Sequence, residues 1–348
     1  MQLNFHPLYE EDLRSAASDL NGRLDGKRVL ITGATGLIGS FMVDVLAWLN
    51  ETADAGIEIY AAGRREEGMR SRFGEMVDRD YFHYVKYDAR AHADFDFEAE
   101  YVFHAACSAH PLAYATDPVG TMQANLMGTM QLLEYIRKYP GTGFVFLSTG
   151  ETYGENPDLP DGFSEDSHGY VDPMNPRSCY PESKRGAETL CASYAAQFGL
   201  NARVARLCHV YGPTITPDNS RADAQFLRKA LAGEAIVMKS TGSQVRSFCY
   251  VADAARALFT VMLDGEKGNA YNIANKKSVA SIREYAEVLA KAGGVELTFD
   301  LPPEAEKAGY SKVTRAVLNP AKLENLGWQP AYSLEKGLEH TYHISADK

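Results

Sequence analysis

The chain has 348 residues, 45% of them hydrophobic and 23% charged, with a formal net charge of −11. This size suits one large domain with a smaller lobe, and apolar runs such as Val29-Leu30-Ile31 fall far short of the roughly 20 residues that span a bilayer. An acidic chain without a basic tract is not built to bind nucleic acid as its main activity, and five cysteines with no Cys-x-x-Cys pair argue for reduced thiols, not a disulfide frame or a zinc site.

Met1 to Lys27 is polar, with acids at Glu10, Glu11 and Asp12, and lacks the apolar core of a signal peptide, so a cytoplasmic address is expected. Leu8 to Leu24 suggests a short helical extension, residues 1–25, with no assignable chemistry. Strand-like runs then follow at Arg28–Thr32, Ile57–Ala61, Tyr84–Tyr87, Tyr101–His104 and Phe144–Ser148. Between the first two, Ile38, Met42, Val45, Leu46 and Leu49 recur at helical spacing. Asn125 to Lys138 repeats that spacing with Leu126, Met130, Leu133 and Tyr135. The rhythm continues with Tyr180–Phe198 as helix and Ala202–Leu207 as strand.

Alternation of this kind implies an α/β fold, a doubly wound parallel sheet of Rossmann type. After Gly212-Pro213 the pattern weakens: a loop at Pro213, Pro217 and Asp218-Asn219, a helix over Ala222–Leu231, and turns at Gly242, Gly265 to Gly268 and Pro302-Pro303. The expected division is a dinucleotide-binding domain over 26–211, a return segment around 245–275, and a smaller substrate-binding lobe made mostly of 212–348.

Thr32-Gly33-Ala34-Thr35-Gly36-Leu37-Ile38-Gly39 follows a strand and opens a helix. In that context Gly33 allows a tight turn, Gly36 lets the backbone approach a pyrophosphate, and Gly39 packs helix on strand. The helix N-terminus supplies free N–H donors around Thr35, Leu37 and Ile38. Asp88-Ala89, after the third strand, offers an acceptor to an adenine amino group. His104, Ala105 and Ala106 end the fourth strand where the nucleotide must pass. The second strand ends in Arg64-Arg65; arginine in place of an acid there leans toward NADP or mixed use, and leaves the choice between NAD and NADP open.

Tyr180-x-x-x-Lys184 lies 31 residues after Thr149. Tyr180 and Lys184 at i and i+4 share one helix face. A free tyrosine, with a pKa of about 10, is a poor base at neutrality. A lysine ammonium and an oxidised nicotinamide ring lower it, so that the phenolate takes a hydroxyl proton as hydride leaves. Thr149 would orient the same substrate oxygen, and Lys184 would also hold the nicotinamide ribose.

These motifs, with Asn175-Pro176-Arg177-Ser178-Cys179-Tyr180-Pro181-Glu182-Ser183-Lys184-Arg185, Gly242 to Phe248, Asp117-Pro118, Asn125, Gly128-Thr129 and Gly327-Trp328-Gln329-Pro330, resemble the extended short-chain dehydrogenase/reductase family over nearly the whole chain. Within it the likeness is to nucleotide-sugar enzymes, UDP-glucuronate decarboxylases in particular. The resemblance implies a hydride cycle: NAD⁺ oxidises C4 of the sugar, a 4-keto uronate loses CO₂, and the same NADH reduces the product, with no metal. It also implies a homodimer packed through the helices at Asn125–Lys138 and Tyr180–Phe198.

Ser148-Thr149-Gly150-Glu151 separates the subfamilies. Gly150 stands where similar dehydratases carry their acid, and Glu151 beside a small residue is the decarboxylase pattern, although Glu151 can also be a structural acid capping the next turn. At the substrate end, the resemblance places His209 where an asparagine is expected, Thr214 where an arginine is expected, and Gln225 where an asparagine touches the nucleotide. Arg221 and Arg246 remain to neutralise a diphosphate, and Arg315 to meet a carboxylate or phosphate. A 4-epimerase is the second reading, and a non-catalytic NAD(P)-binding sensor the reading outside enzymes.

Overall fold

The computed structural model describes residues 5–107, 109–155, 159, 162–301 and 314–347. The strands are β1 (Arg28–Thr32), β2 (Glu58–Gly63), β3 (Phe82–Lys86), β4 (Tyr101–His104), β5 (Gly143–Thr149) and β6 (Asn201–Leu207), then β7 (His209–Tyr211), β8 (Ile236–Met238), β9 (Val245–Tyr250) and β10 (Ala270–Ile273). Three short ones follow: β11 (Val279–Ser281), β12 (Leu297–Phe299) and β13 (Arg315–Ala316). The helices are α1 (Pro7–Ala17), α2 (Leu37–Ala53), α3 (Glu66–Phe73), α4 (Pro111–Thr116), α5 (Pro118–Arg137) and α6 (Cys179–Phe198). After them come α7 (Ala222–Leu231), α8 (Val251–Asp264), α9 (Ile282–Gly293), α10 (Ala321–Glu324) and α11 (Leu334–Ala346).

Among the described residues the main sheet has seven strands, in the order β10-β6-β5-β4-β1-β2-β3, with every neighbouring pair parallel. This is the expected doubly wound α/β sheet. Parallel sheets bury both faces, and successive side chains of β1 divide accordingly. Val29 and Ile31 join Phe41, Val45 and Phe259 in one core, while Leu30 joins Val102, Phe144 and Phe146 in the other. α1, α2 and α8 cover the first face, α5 and α6 the second. Chain order reverses between β1 and β4, so the crevice opens at their C-terminal ends.

Several expectations need correcting. The helix expected from Asn125 begins at Pro118, where Asp117 caps it by accepting the Gly120 N–H at 2.9 Å. The helix expected over Leu8 to Leu24 is the shorter α1, and it packs into the core: Asp12 and Leu13 are fully buried, and the Asp12 carboxylate accepts from Tyr250 at 2.5 Å and meets the His340 ring at 2.8 Å. Of the return segment, β10 does complete the main sheet, but β9 belongs to a second sheet with β7, β11 and β13. The turn expected at Pro302-Pro303 lies outside the described residues. No helix among those described is long and apolar enough to cross a membrane.

Candidate active site

The glycine loop joins β1 to α2 at the switch point. Gly33 has φ +68°, and a Cβ there would lie 2.7 Å from the Ala105 carbonyl oxygen, so both conformation and space demand glycine. Gly36 caps α2; a Cβ on it would meet the Gly33 carbonyl at 3.3 Å and nothing else within 4 Å, which leaves the backbone open to a ligand. The first N–H groups of α2 have no intrahelical acceptor, as at any helix start, and Thr35, Leu37 and Ile38 are half-buried beside them. This cradle fits a dinucleotide pyrophosphate. Thr214, standing where an arginine was expected, donates to the Leu37 carbonyl at 2.7 Å and braces the loop from across the crevice.

Along the sheet, Arg64 is exposed at the end of β2. Asp88 accepts from the Arg90 backbone N–H at 3.0 Å, which holds its carboxyl below the usual range, and Arg90 also reaches Asp117 at 3.3 Å. Ala89 is buried against α5, where a Cβ on Gly128 would come 2.8 Å from its own. Ala105 and Ala106 are half-buried at the crevice. His104 departs from expectation: its ring is 2% exposed, meets Thr32 at 2.8 Å and packs beside Phe146, so it pins the core and offers no side chain to a cofactor. Burial drives its pKa down to about 3.

Tyr180 and Lys184 lie one turn apart on α6, 6% and 3% exposed. The Lys184 ammonium donates to the Leu147 carbonyl at 2.7 Å and sits 4.4 Å from the Phe146 ring and 5.9 Å from the Tyr180 ring. Burial pushes Lys184 down and Tyr180 up. Charge at Cys107 and Glu151 raises Tyr180 further, while hydrogen bonds with Thr149 and Tyr114 oppose the rise. The Tyr114 ring stacks on Tyr180 at 4.5 Å and 19°.

Glu151 lies on the single 3-10 turn after β5 (Gly150–Tyr153), where Thr149 accepts its N–H at 3.3 Å. Its carboxylate takes Arg177 Nη2 at 2.8 Å. Gly150 is tight: a Cβ would press on Leu318 at 3.2 Å.

At the substrate end, His209, Arg221 and Arg246 act on one another. Burial, then the two arginines, lower His209 to about 3, so it is neutral. Arg221 stands just before α7 and donates to the Val210 carbonyl and to Asp223, each at 2.9 Å. Arg246 is 6% exposed and donates to the Val245 carbonyl at 2.9 Å and to Gln244 Oε1 at 3.3 Å; burial lowers it and the charge on Glu151 draws it the other way. Two expected residues do not join them. Gln225 is exposed and folds back onto the Ser220 carbonyl at 2.8 Å, because it sits on the outer face of α7. Arg315 pairs in register with Val245 while Ala316 pairs with Arg246, so strand alternation turns Arg315 to the opposite face.

Sequence reasoning missed Tyr114, which arrives from a separate helix with no local signature. Arg177 went unassigned although it lies three residues before Tyr180. Among the described residues no group of His, Cys, Asp or Glu is arranged to hold a metal.

The model of the NAD dependent epimerase/dehydratase family matches residues 29–274. The chain is 32% identical over 316 residues to UDP-glucuronic acid decarboxylase 6 of Arabidopsis thaliana, covering 89% of this chain and 86% of that one. It is 31% identical over 317 residues to UDP-glucuronic acid decarboxylase 1 of Danio rerio, covering 91% and 72%. The solved UDP-glucose 4-epimerase of Thermus thermophilus in complex with NAD is similar with TM-score 0.75 and 28% identity, covering 91% and 98%. With the sheet order and the glycine loop in place, this chain belongs to the NAD-dependent epimerase/dehydratase family.

Proposed function

We propose that the chain is an NAD-dependent nucleotide-sugar-modifying enzyme that works through a transient 4-keto sugar, and that its reaction is decarboxylation of a nucleotide-linked uronic acid. The observation that carries this reading is Glu151, held at 2.8 Å by Arg177 beside the Thr149, Tyr180 and Lys184 set, with Gly150 where a dehydratase acid would stand. The decarboxylase relatives support it.

In this reading Gly33, Gly36 and the first turn of α2 hold the pyrophosphate, with Asp88, Ala89, Ala105 and Ala106 along the nucleotide. Bound NAD would supply the acceptor for the C4 hydride and the donor that returns it, and Tyr180, held protonated by burial, would lie beside its cationic ring. Thr149 orients the C4 hydroxyl, and Tyr180 receives its proton. Lys184, anchored on Leu147, favours the phenolate and reaches the ribose. The C4 ketone makes the C6 carboxylate a β-keto acid: the C5–C6 bond breaks, its electrons enter the enolate, CO₂ leaves, and C5 takes a proton. Glu151, on the turn next to Thr149, is the carboxyl group assigned to that centre in this reading. Arg221 and Arg246 neutralise the diphosphate, and His209, kept neutral by burial and by those two arginines, adds no charge there.

A 4-epimerase is the second reading, favoured by the likeness to a solved 4-epimerase. A silent sensor would not need the Thr149, Tyr180 and Lys184 set. The experiment is incubation of the purified protein with UDP-glucuronate and NAD⁺, with product mass and stereochemistry followed and Tyr180→Phe as control. Loss of one CO₂ that disappears in the control supports decarboxylation. Isomerisation at constant mass replaces it with epimerisation.

We also propose a homodimer through α5 and α6. Val119, Met122, Met127 and Met130 are exposed on α5, at 66%, 38%, 38% and 45%, a stripe an isolated helix face would not keep in water.

A further inference from the structure

Arg177 has no role in the reaction as derived above, yet it makes two contacts with that machinery. Its backbone is fixed, because Asn175 accepts its N–H at 3.0 Å just before α6. Its guanidinium donates to Glu151 at 2.8 Å and lies 4.6 Å from the centre of the Tyr114 ring. Tyr114 in turn is 3% exposed and stacks flat on Tyr180. One cation therefore touches the carboxylate and the ring that backs the candidate base.

We propose that Arg177 is a positioning residue: it clamps Glu151 and Tyr114 into one array against Tyr180, and so balances the carboxylate's charge next to the phenol. This rests on the reading of Tyr180 as the proton-transfer group.

The physical argument is electrostatic. The groups around Tyr180 are Cys107 beyond β4, Thr149 at the end of β5, Glu151 on the turn after it, Tyr114 on α4, and Cys179 and Lys184 on its own helix, with the charge of Arg246 on β9 acting on Glu151. Glu151 raises both Tyr180 and Tyr114, and Arg177 lowers Tyr114. Removing Arg177 leaves an unbalanced negative charge beside two buried phenols and frees Glu151 to swing away. A neutral residue at 151 removes the same charge at its source. The two changes should therefore cancel when combined.

The test uses full-length protein labelled with fluorotyrosine and saturated with NAD⁺. The Tyr180 resonance, assigned by its loss in Tyr180→Phe, is followed by ¹⁹F NMR against pH. The expected result is a midpoint roughly one unit higher in Arg177→Met, and a return toward wild type in Arg177→Lys and in Arg177→Met/Glu151→Gln. A midpoint equal in wild type and Arg177→Met, or a resonance that titrates in neither, overturns the proposal. The Arg177 side chain is 46% exposed, so the replacement leaves no buried hole.

Turnover of UDP-glucuronate gives the second reading. A fall in kcat with KM near wild type supports positioning; a large rise in KM with an unmoved midpoint makes Arg177 a substrate contact and overturns it. If no form of the protein turns over UDP-glucuronate but the midpoint moves, the array stands and the proposed reaction fails.

Discussion

Tyr180 and Lys184 are each held, by burial, away from the charge state that proton transfer needs. Burial alone leaves a neutral phenol and a weakened ammonium. Hydrogen bonds with Thr149 and Tyr114 oppose that rise at Tyr180, and on the proposed mechanism the cofactor's positive charge would add to them. Tyr180→Phe should lower kcat by about 10²- to 10⁴-fold, with NAD affinity by calorimetry little changed. Unchanged turnover would remove Tyr180 from the mechanism. At the substrate end, Arg246 and Gln225 should separate cleanly. Arg246→Ala loses a buried charge-assisted contact of about 1.5–3 kcal/mol, so the KM for the nucleotide sugar should rise roughly 10- to 100-fold. Gln225→Ala removes an exposed side chain already satisfied by Ser220, and steady-state kinetics should match wild type.

At the scale of elements, the five strands of the first half were legible because each is a β-branched or aromatic run closed by a turn, and α2 because it shows its buried face; α3 and α4, which bury only Met69, Phe73 and Tyr114, were not read. Helix α5 was only half legible. Its first turns carry Val119 and Met122 outward and bury only Gly120 and Thr121, so no apolar period exists before Asn125, and the Asp117-Pro118 start signal went unused. Met130, counted toward the core, is 45% exposed. The second sheet was not legible at all, since β7, β11 and β13 are two or three residues long and exist only through pairing with β9. Asp12 hid in an acidic run that looks solvated, though Tyr250 and His340 bury it. Of the candidate site, the glycine loop and the Tyr180/Lys184 pair were visible because their chemistry needs fixed spacing. Tyr114 and the orientation of Arg315 depend on packing that no local pattern encodes. The α5 stripe carries its own prediction. Met127→Glu/Met130→Glu should shift the protein from dimer to monomer in sedimentation velocity; a wild-type protein that sediments as a monomer would rule the interface out.

For the whole molecule, charge buried behind the site joins its parts. Glu188 of α6 takes Arg206 of β6 at 2.7 Å and Ser148 of β5 at 2.5 Å; Arg206 reaches Tyr153 at 3.0 Å, which reaches Asn272 of β10 at 2.6 Å. Arg206→Leu strands a buried carboxylate and should cost about 3–5 kcal/mol in urea unfolding.

Acid sensitivity comes from two buried imidazoles, His104 and His209, each lowered to about 3. A base whose folded pKa lies below its unfolded value of about 6.5 contributes stability above that pH, and loses it as pH falls toward the folded value. By pH 5 each should have lost about 2 kcal/mol, at roughly 1.4 kcal/mol per pH unit. Asp253 works the other way. Burial lifts it to about 6, so its protonation below that pH returns about 1 kcal/mol by pH 5. The depressed carboxylates at Glu100 and Asp88 lose their contribution only at lower pH, as the pH falls below the unfolded carboxylate pKa of about 4 toward their lowered folded values. The window from pH 7.5 to 5 therefore reads the histidines. Wild type should lose about 3 kcal/mol across it in urea titrations, and His209→Asn about 2 kcal/mol less. Equal losses in the two proteins would mean that His209 is solvated in the folded state, and would take it out of the substrate end of the crevice.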